Sequence, residues 1–153
     1  MPTVSPETEL LAWVSGVLNG DTELKTQTGL NPASGAARAV AIYNRVAPDA
    51  AVPYVRFHLT DSLPIDDEPF DVDSAPEAHQ IGVMVNVFSD YEPEVLKIAA
   101  RCRDLLKHSA ITTANFNGSS WLGPIDYFTD NLSEPDRVFR RASMRVGCRL
   151  QPN

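Results

Sequence analysis

A single α+β domain over residues 1–153, with a mostly antiparallel sheet, two main helices packed on one face and a long inter-strand loop, is the fold class this sequence predicts. Three observations carry it. Two stretches repeat apolar residues at helical spacing, several others alternate them with a period of two, and 61–77 interrupts the strands with proline and aspartate. No internal repeat or second-domain boundary divides the chain.

The first helix is expected to start at Ser5-Pro6-Glu7-Thr8-Glu9. Ser5 can cap, Pro6 suits the first helical position, and the glutamates favour the positive end of the helix dipole. Leu10, Trp13, Val14, Val17 and Leu18 form its apolar stripe, and Asn19-Gly20-Asp21 ends it. Residues 21–38, with Gly29, Asn31-Pro32 and Ser34-Gly35, read as loop with at most one short helical turn.

From Ala39 the period becomes two, placing Val40, Ile42, Asn44 and Val46 on one side until Pro48-Asp49. A second strand begins at Pro53, where Val55, Phe57 and Leu59 alternate with Tyr54, Arg56, His58 and Thr60. The connection 61–77 follows, too long for a plain turn. In the next strand Ile81, Val83, Val85 and Val87 share one face, and Gln80, Gly82, Met84, Asn86 and Phe88 the other.

Ser89-Asp90-Tyr91-Glu92-Pro93 has helix-start chemistry. Val95, Ile98, Ala99, Cys102, Leu105 and Leu106 then form a stripe, with Lys97, Arg101, Arg103 and Lys107 outside it. Residues 112–117 and 121–129 read as two shorter strands joined by a turn at Asn117-Gly118-Ser119-Ser120. The last strand spans 138–150, with Ala142, Met144, Val146, Cys148 and Leu150 inward and Arg141, Arg145 and Arg149 outward.

Composition excludes several classes of function. The chain is 43% hydrophobic and 22% charged, which fits neither disorder nor a fibrous repeat. The longest apolar runs, 10–14 and 39–43, have five residues, against roughly 20 needed to cross a bilayer. The start lacks a basic flank and an apolar segment, so synthesis and folding in a cytosol are expected. Cys102 and Cys148 both fall at core positions and read as buried thiols. His58, His79 and His108 are scattered singly, so no metal site is expected.

No phosphate-binding loop, dinucleotide fingerprint, zinc-protease helix or nucleophile elbow occurs, and no catalytic residue or cofactor is assigned. His58 has no nucleophile pattern to pair with and reads as a surface or interface residue. Trp13 belongs to a core stripe, and Trp121 reads as packing on the sheet.

Charge segregation is the feature left over. Residues 61–77 hold seven acids, Asp66, Asp67, Glu68, Asp71 and Asp73 among them, and no Lys or Arg. Residues 137–149 hold five arginines and no acid. Such blocks are either solvated faces or complementary patches that meet across a subunit boundary. A net charge of −7 argues against nucleic acid as the direct partner of the arginines.

The order of these motifs resembles the tail-terminator family of long-tailed bacteriophages, also called tail-completion or tail-to-head joining proteins. The resemblance rests on a Leu-rich N-terminal helix, the strand Val52-Pro53-Tyr54-Val55-Arg56-Phe57, a variable acidic loop, the strand 79–89 ending in Val87-Phe88-Ser89, the helix 94–107 and a final strand. It implies a non-enzymatic virion protein that forms a ring, typically of six copies, at the head-proximal end of the tail tube. Such a ring halts tube polymerisation and offers a surface to the head connector or stopper protein. Its partners would be its own copies, the tail tube protein and that connector. Neither a membrane nor specific nucleic-acid binding is implied, although DNA can pass through the ring. Contacts by resemblance lie in the loop 61–77, on the sheet edges and on the outward face, here Arg141, Arg145 and Arg149. Arg56 is counted with these contacts, and the apolar edges, Tyr54 and Phe88 among them, would add burial that charge alone does not supply. A head-completion protein and a monomeric small-ligand-binding domain are the competing readings.

Overall fold

The computed structural model describes residues 5–29, 42–43, 53–65, 78–89, 91–107, 109–131 and 138–153. In chain order these form α1 (Pro6–Gly20), α2 (Thr22–Gly29), β1 (Ile42–Tyr43), β2 (Tyr54–Ile65), β3 (Ala78–Ser89), α3 (Glu92–Leu106), β4 (Ala110–Thr112), β5 (Phe116–Asn131) and β6 (Val138–Pro152). The strands make one sheet in the order β1-β2-β3-β6-β5-β4, antiparallel throughout except that β1 runs parallel to β2. The α+β class with helices on one face therefore holds.

One core joins sheet and helices. Leu10, Val14 and Leu18 of α1 and Val95, Ile98, Ala99, Cys102 and Leu106 of α3 bury their stripes against Val55, Phe57, Ile81, Val83, Val85, Val87, Ala142, Met144, Val146 and Cys148. Period-two burial in the strands and helical-period burial in α1 and α3 are what drive these elements together. Both thiols are buried, and loss of hydration pushes each up to about 12, which leaves them unreactive at neutral pH.

The helix starts follow their local chemistry. The Ser5 hydroxyl accepts from the Thr8 N–H at 3.3 Å, with Pro6 at the first helical position. At α3 the Ser89 hydroxyl accepts from Tyr91 N–H and donates to Glu94 at 2.6 Å.

Three expectations need correcting. Residues 22–29, read as loop, form the helix α2. Of its described side chains only Leu24 is buried in the core, so it lacks a periodic stripe, and it is held at its N-terminal end by other means. Asp21 accepts from the Leu24 N–H at 2.8 Å and from Arg101 Nε of α3 at 2.9 Å. The second strand does not end at Thr60. A register shift between Leu59 and Asp61 breaks the alternation, and β2 continues to Ile65. Past the shift, Ser62 donates to Glu7 of α1 at 2.6 Å. The connection to β3 is therefore 66–77, outside the described residues.

The third correction concerns Asn117-Gly118-Ser119-Ser120, which is not a turn but the body of β5. The chain reverses instead at Ala114-Asn115, where Thr113 N–H donates to Phe116 O at 2.8 Å. Ser120 is buried. Its hydroxyl donates to Leu106 O at 2.6 Å and accepts from Ser109 N–H at 3.0 Å, closing the exit of α3 onto β5.

The carboxylates of α1 act as straps. Glu9 accepts from Thr113 and Asn115 beside the β4–β5 reversal, and Glu7 from Ser5 and Ser62. These hydrogen bonds hold both glutamates below their ordinary value of 4.5, and Arg101 and Arg145 likewise lower Asp21 and Asp61 from 3.8. A carboxylate depressed in the folded state adds stability above its unfolded pKa and loses it as pH falls through the folded one. The melting temperature is expected to hold from neutrality to about pH 5 and then fall as acid is added, with a smaller fall in the Glu7→Gln variant.

Candidate interaction surface

Helices cover one face of the sheet, and the opposite face carries every candidate residue that lies in the described strands. Cross-strand partners in an antiparallel sheet share a face, so the register arranges that face in rows.

The first row runs Tyr54, Phe88, Arg141, Phe128 across β2, β3, β6 and β5. Tyr54 and Phe88 stack with centroids 4.9 Å apart, and the Arg141 guanidinium sits 4.5 Å from the Phe128 centroid. The second row is Arg56, Asn86, Ser143, Asp126. Ser143 donates to Asn86 Oδ1, and both are buried in the sheet between their larger neighbours. The third brings together His58, Met84 and Arg145. The Nδ1 of His58 is buried with no partner among the described residues. Loss of hydration, then the nearby Arg56 charge, lowers its pKa and keeps the ring neutral at pH 7.

Asp61, Gly82, Gly147 and Trp121 make the fourth row. Its glycines are required by what fills their place. A Cβ on Gly82 would stand 2.2 Å from Asp61 Oδ1 and 2.8 Å from Arg145 Nη2. The gap lets Arg145 reach across β3 and clasp both Asp61 oxygens, at 2.7 and 2.8 Å. On Gly147 lies the Trp121 ring, 2.2 Å from where a Cβ would be. Gly147→Ala is expected to push Trp121 into water and shift the tryptophan emission to the red, with the core intact by near-ultraviolet dichroism.

Arg141, Arg145, Arg149, Tyr54, Arg56 and Phe88 thus lie together on one face, as alternation suggested. Asp66, Asp67, Glu68, Asp71 and Asp73 fall outside the described residues. Arg145 is already held by Asp61 of its own chain, which sequence alone did not indicate because Asp61 looked like loop. Phe128 and Asp126 complete two rows; the alternation of 121–129 places them there, although neither belongs to a charge block that singles it out in the sequence.

The face is cationic through arginine alone. All three lysines, Lys25, Lys97 and Lys107, belong to α2, α3 or the residue after α3. Aromatic residues and Arg are enriched in protein contact surfaces and Lys is depleted, since a planar guanidinium tolerates desolvation and stacking better. Among the described residues no cluster of three or more His, Cys, Asp or Glu could hold a metal ion, and no helix is long and apolar enough to cross a membrane.

No family model and no curated protein matches the chain. Among solved structures, it is similar to a chain in the "Virion of native gene transfer agent (GTA) particle", with a TM-score of 0.72 and 17% identity, covering 97% of this chain and 99% of the other. The two share a fold over essentially their whole lengths.

Proposed function

We propose that this chain is a structural, non-catalytic component of a phage-like virion. The observation that carries this reading is the end-to-end match of fold with a chain of a gene transfer agent particle. Within the virion, the tail-terminator role implied by motif order is the finer reading. A ring, of six copies in that family, sits at the head-proximal end of the tail tube, stops tube growth and receives the head connector. The protein passes through the host cytoplasm during assembly and ends in the virion tail.

A cyclic assembly needs two unlike, complementary surfaces on each copy. The arginine and aromatic face supplies one, and the acidic sequence 66–77 of a neighbouring copy suits it in charge. Arg141 and Arg149 stand at either end of the arginine row along β6, and changing them leaves the Arg145–Asp61 pair in place. Arg141→Glu with Arg149→Glu is expected to weaken ring formation, and Asp66→Arg with Asp67→Arg to restore it when the two pairs are combined. Sedimentation velocity reads both; assembly unchanged by either pair removes this docking.

Electron microscopy tests the function itself. Rings from the purified chain and overlong tubes in particles made without it are expected. Normal tube length with heads that leak DNA would point to the head-completion reading instead.

A further inference from the structure

We infer that copies of this chain join by strand addition, the C-terminal half of β5 in one copy pairing antiparallel with the C-terminal half of β2 in the next. The inference rests on the ring reading for its biological setting, but its argument comes from the sheet.

Among the described residues, neither flank of the sheet is covered along its length. β4 pairs with β5 only at Asn117 to Ser119, so among the described residues β5 has no outer neighbour over 121–131. Among the described residues β1 pairs with β2 only at Val55 and Arg56, which leaves 57–65 without a described outer neighbour. The main-chain N–H and C=O groups of such edges are a template for another strand. Register shifts at Leu59/Asp61 and Leu122/Ile125 confine regular pairing to 61–65 and 125–131.

Side chains mark the same two stretches. Six large apolar side chains are exposed among the described residues, and three of them lie here: Leu63 on β2 at 61%, and Tyr127 and Phe128 on β5 at 56% and 43%. Tyr127 and Phe128 are consecutive and so point to opposite sides of the sheet. An added strand would cover both, whereas a partner docked on one face would cover only one.

The topology selects a second copy as the occupant. Between the open edges stand β2, β3, β6 and β5, four strands of alternating direction. A β2 placed beside β5 therefore continues the alternation, and every further copy can do the same. The contact is heterologous, so it propagates in one sense and forms a ring where the rotation per copy closes. The open stretches lie at opposite ends of the sheet, so each copy steps along the strand direction relative to the last. That step tilts the strands against the ring axis, as closure of a sheet requires.

The test uses the full chain. Amide hydrogen exchange on assembled and dilute protein is expected to show protection gained together at 125–131 and 61–65. Tyr127→Glu and Leu63→Glu, both at exposed positions, are each expected to weaken self-association by at least about tenfold while keeping the monomer's melting temperature. Mixed one to one, they should pair, because each retains the edge the other has lost, and stop at dimers. Assembly with unchanged exchange at both stretches overturns the inference and leaves the ring reading standing. So does a mixture that forms no heterodimer. A chain monomeric at every concentration overturns it as well. Strand addition in solution beside normal tail length in the chain's absence would remove the tail reading and leave this one.

Discussion

Replacing Phe57 by alanine is expected to lower the free energy of unfolding by about 3–5 kcal/mol, at an unchanged dependence on urea. Among the described residues Phe57 is the largest fully buried side chain, 1% exposed on the helix-covered side of β2. It faces the layer formed by α1 and pairs across the sheet with Val85, itself wholly buried. Truncation therefore removes apolar area and also leaves a void between two layers that are each held by other residues. Neither can collapse far, because Glu7 ties α1 to β2 through Ser62 and Val85 sits between two long strand partners. A urea midpoint shifted by less than about 1 kcal/mol equivalent would mean that the site refills, against the usual behaviour of rigid cores.

Gly118→Ala is expected to be at least as damaging, with loss of cooperative melting and of β5 amide protection. A Cβ at this position would lie 1.8 Å from Arg149 O and 2.8 Å from Arg149 C. These are main-chain atoms of the paired strand, so no rotamer change relieves the contact; β5 and β6 must separate. Ordinary overpacking costs roughly 1–3 kcal/mol because side chains yield. Gly147 is the contrast, since the Trp121 ring above it is half exposed and can swing away. One added methyl group thus has opposite consequences at two glycines of facing strands.

Much of the architecture was legible because α1, β3, α3 and β6 carry strong periodicity. What escaped lacked it. In α2 a single leucine reaches the core, and its stability comes from Asp21 and Arg101, 80 residues apart in sequence. The extension of β2 was hidden by one extra residue at Leu59/Asp61, which reverses the faces of everything after it. Gly118-Ser119-Ser120 has turn composition, yet Gly118 is there for a close backbone approach and Ser120 to bind Leu106 and Ser109. Turn chemistry and close-packed strand chemistry use the same small residues. For the interaction surface, alternation was enough to gather Tyr54, Arg56, Phe88, Arg141, Arg145 and Arg149 on one side. It could not show that Arg145 reaches Asp61, since that contact spans two strands and an absent side chain at Gly82.

The place of β6 in the sheet has a bearing on how the molecule is made. This strand lies between β3 and β5, and Ala142, Met144, Val146, Cys148 and Leu150 supply its share of the interior. It also leaves the ribosome after every other strand of the sheet. Until it does, β3 and β5 have no common neighbour, and the valines of β3 stay wet on a nascent chain that cannot yet close its interior. Local helix formation can proceed during translation, but the long-range pairing that joins Asn86 to Ser143 waits until β6 has emerged. A folding rate limited by this late closure is the expected consequence of the strand order.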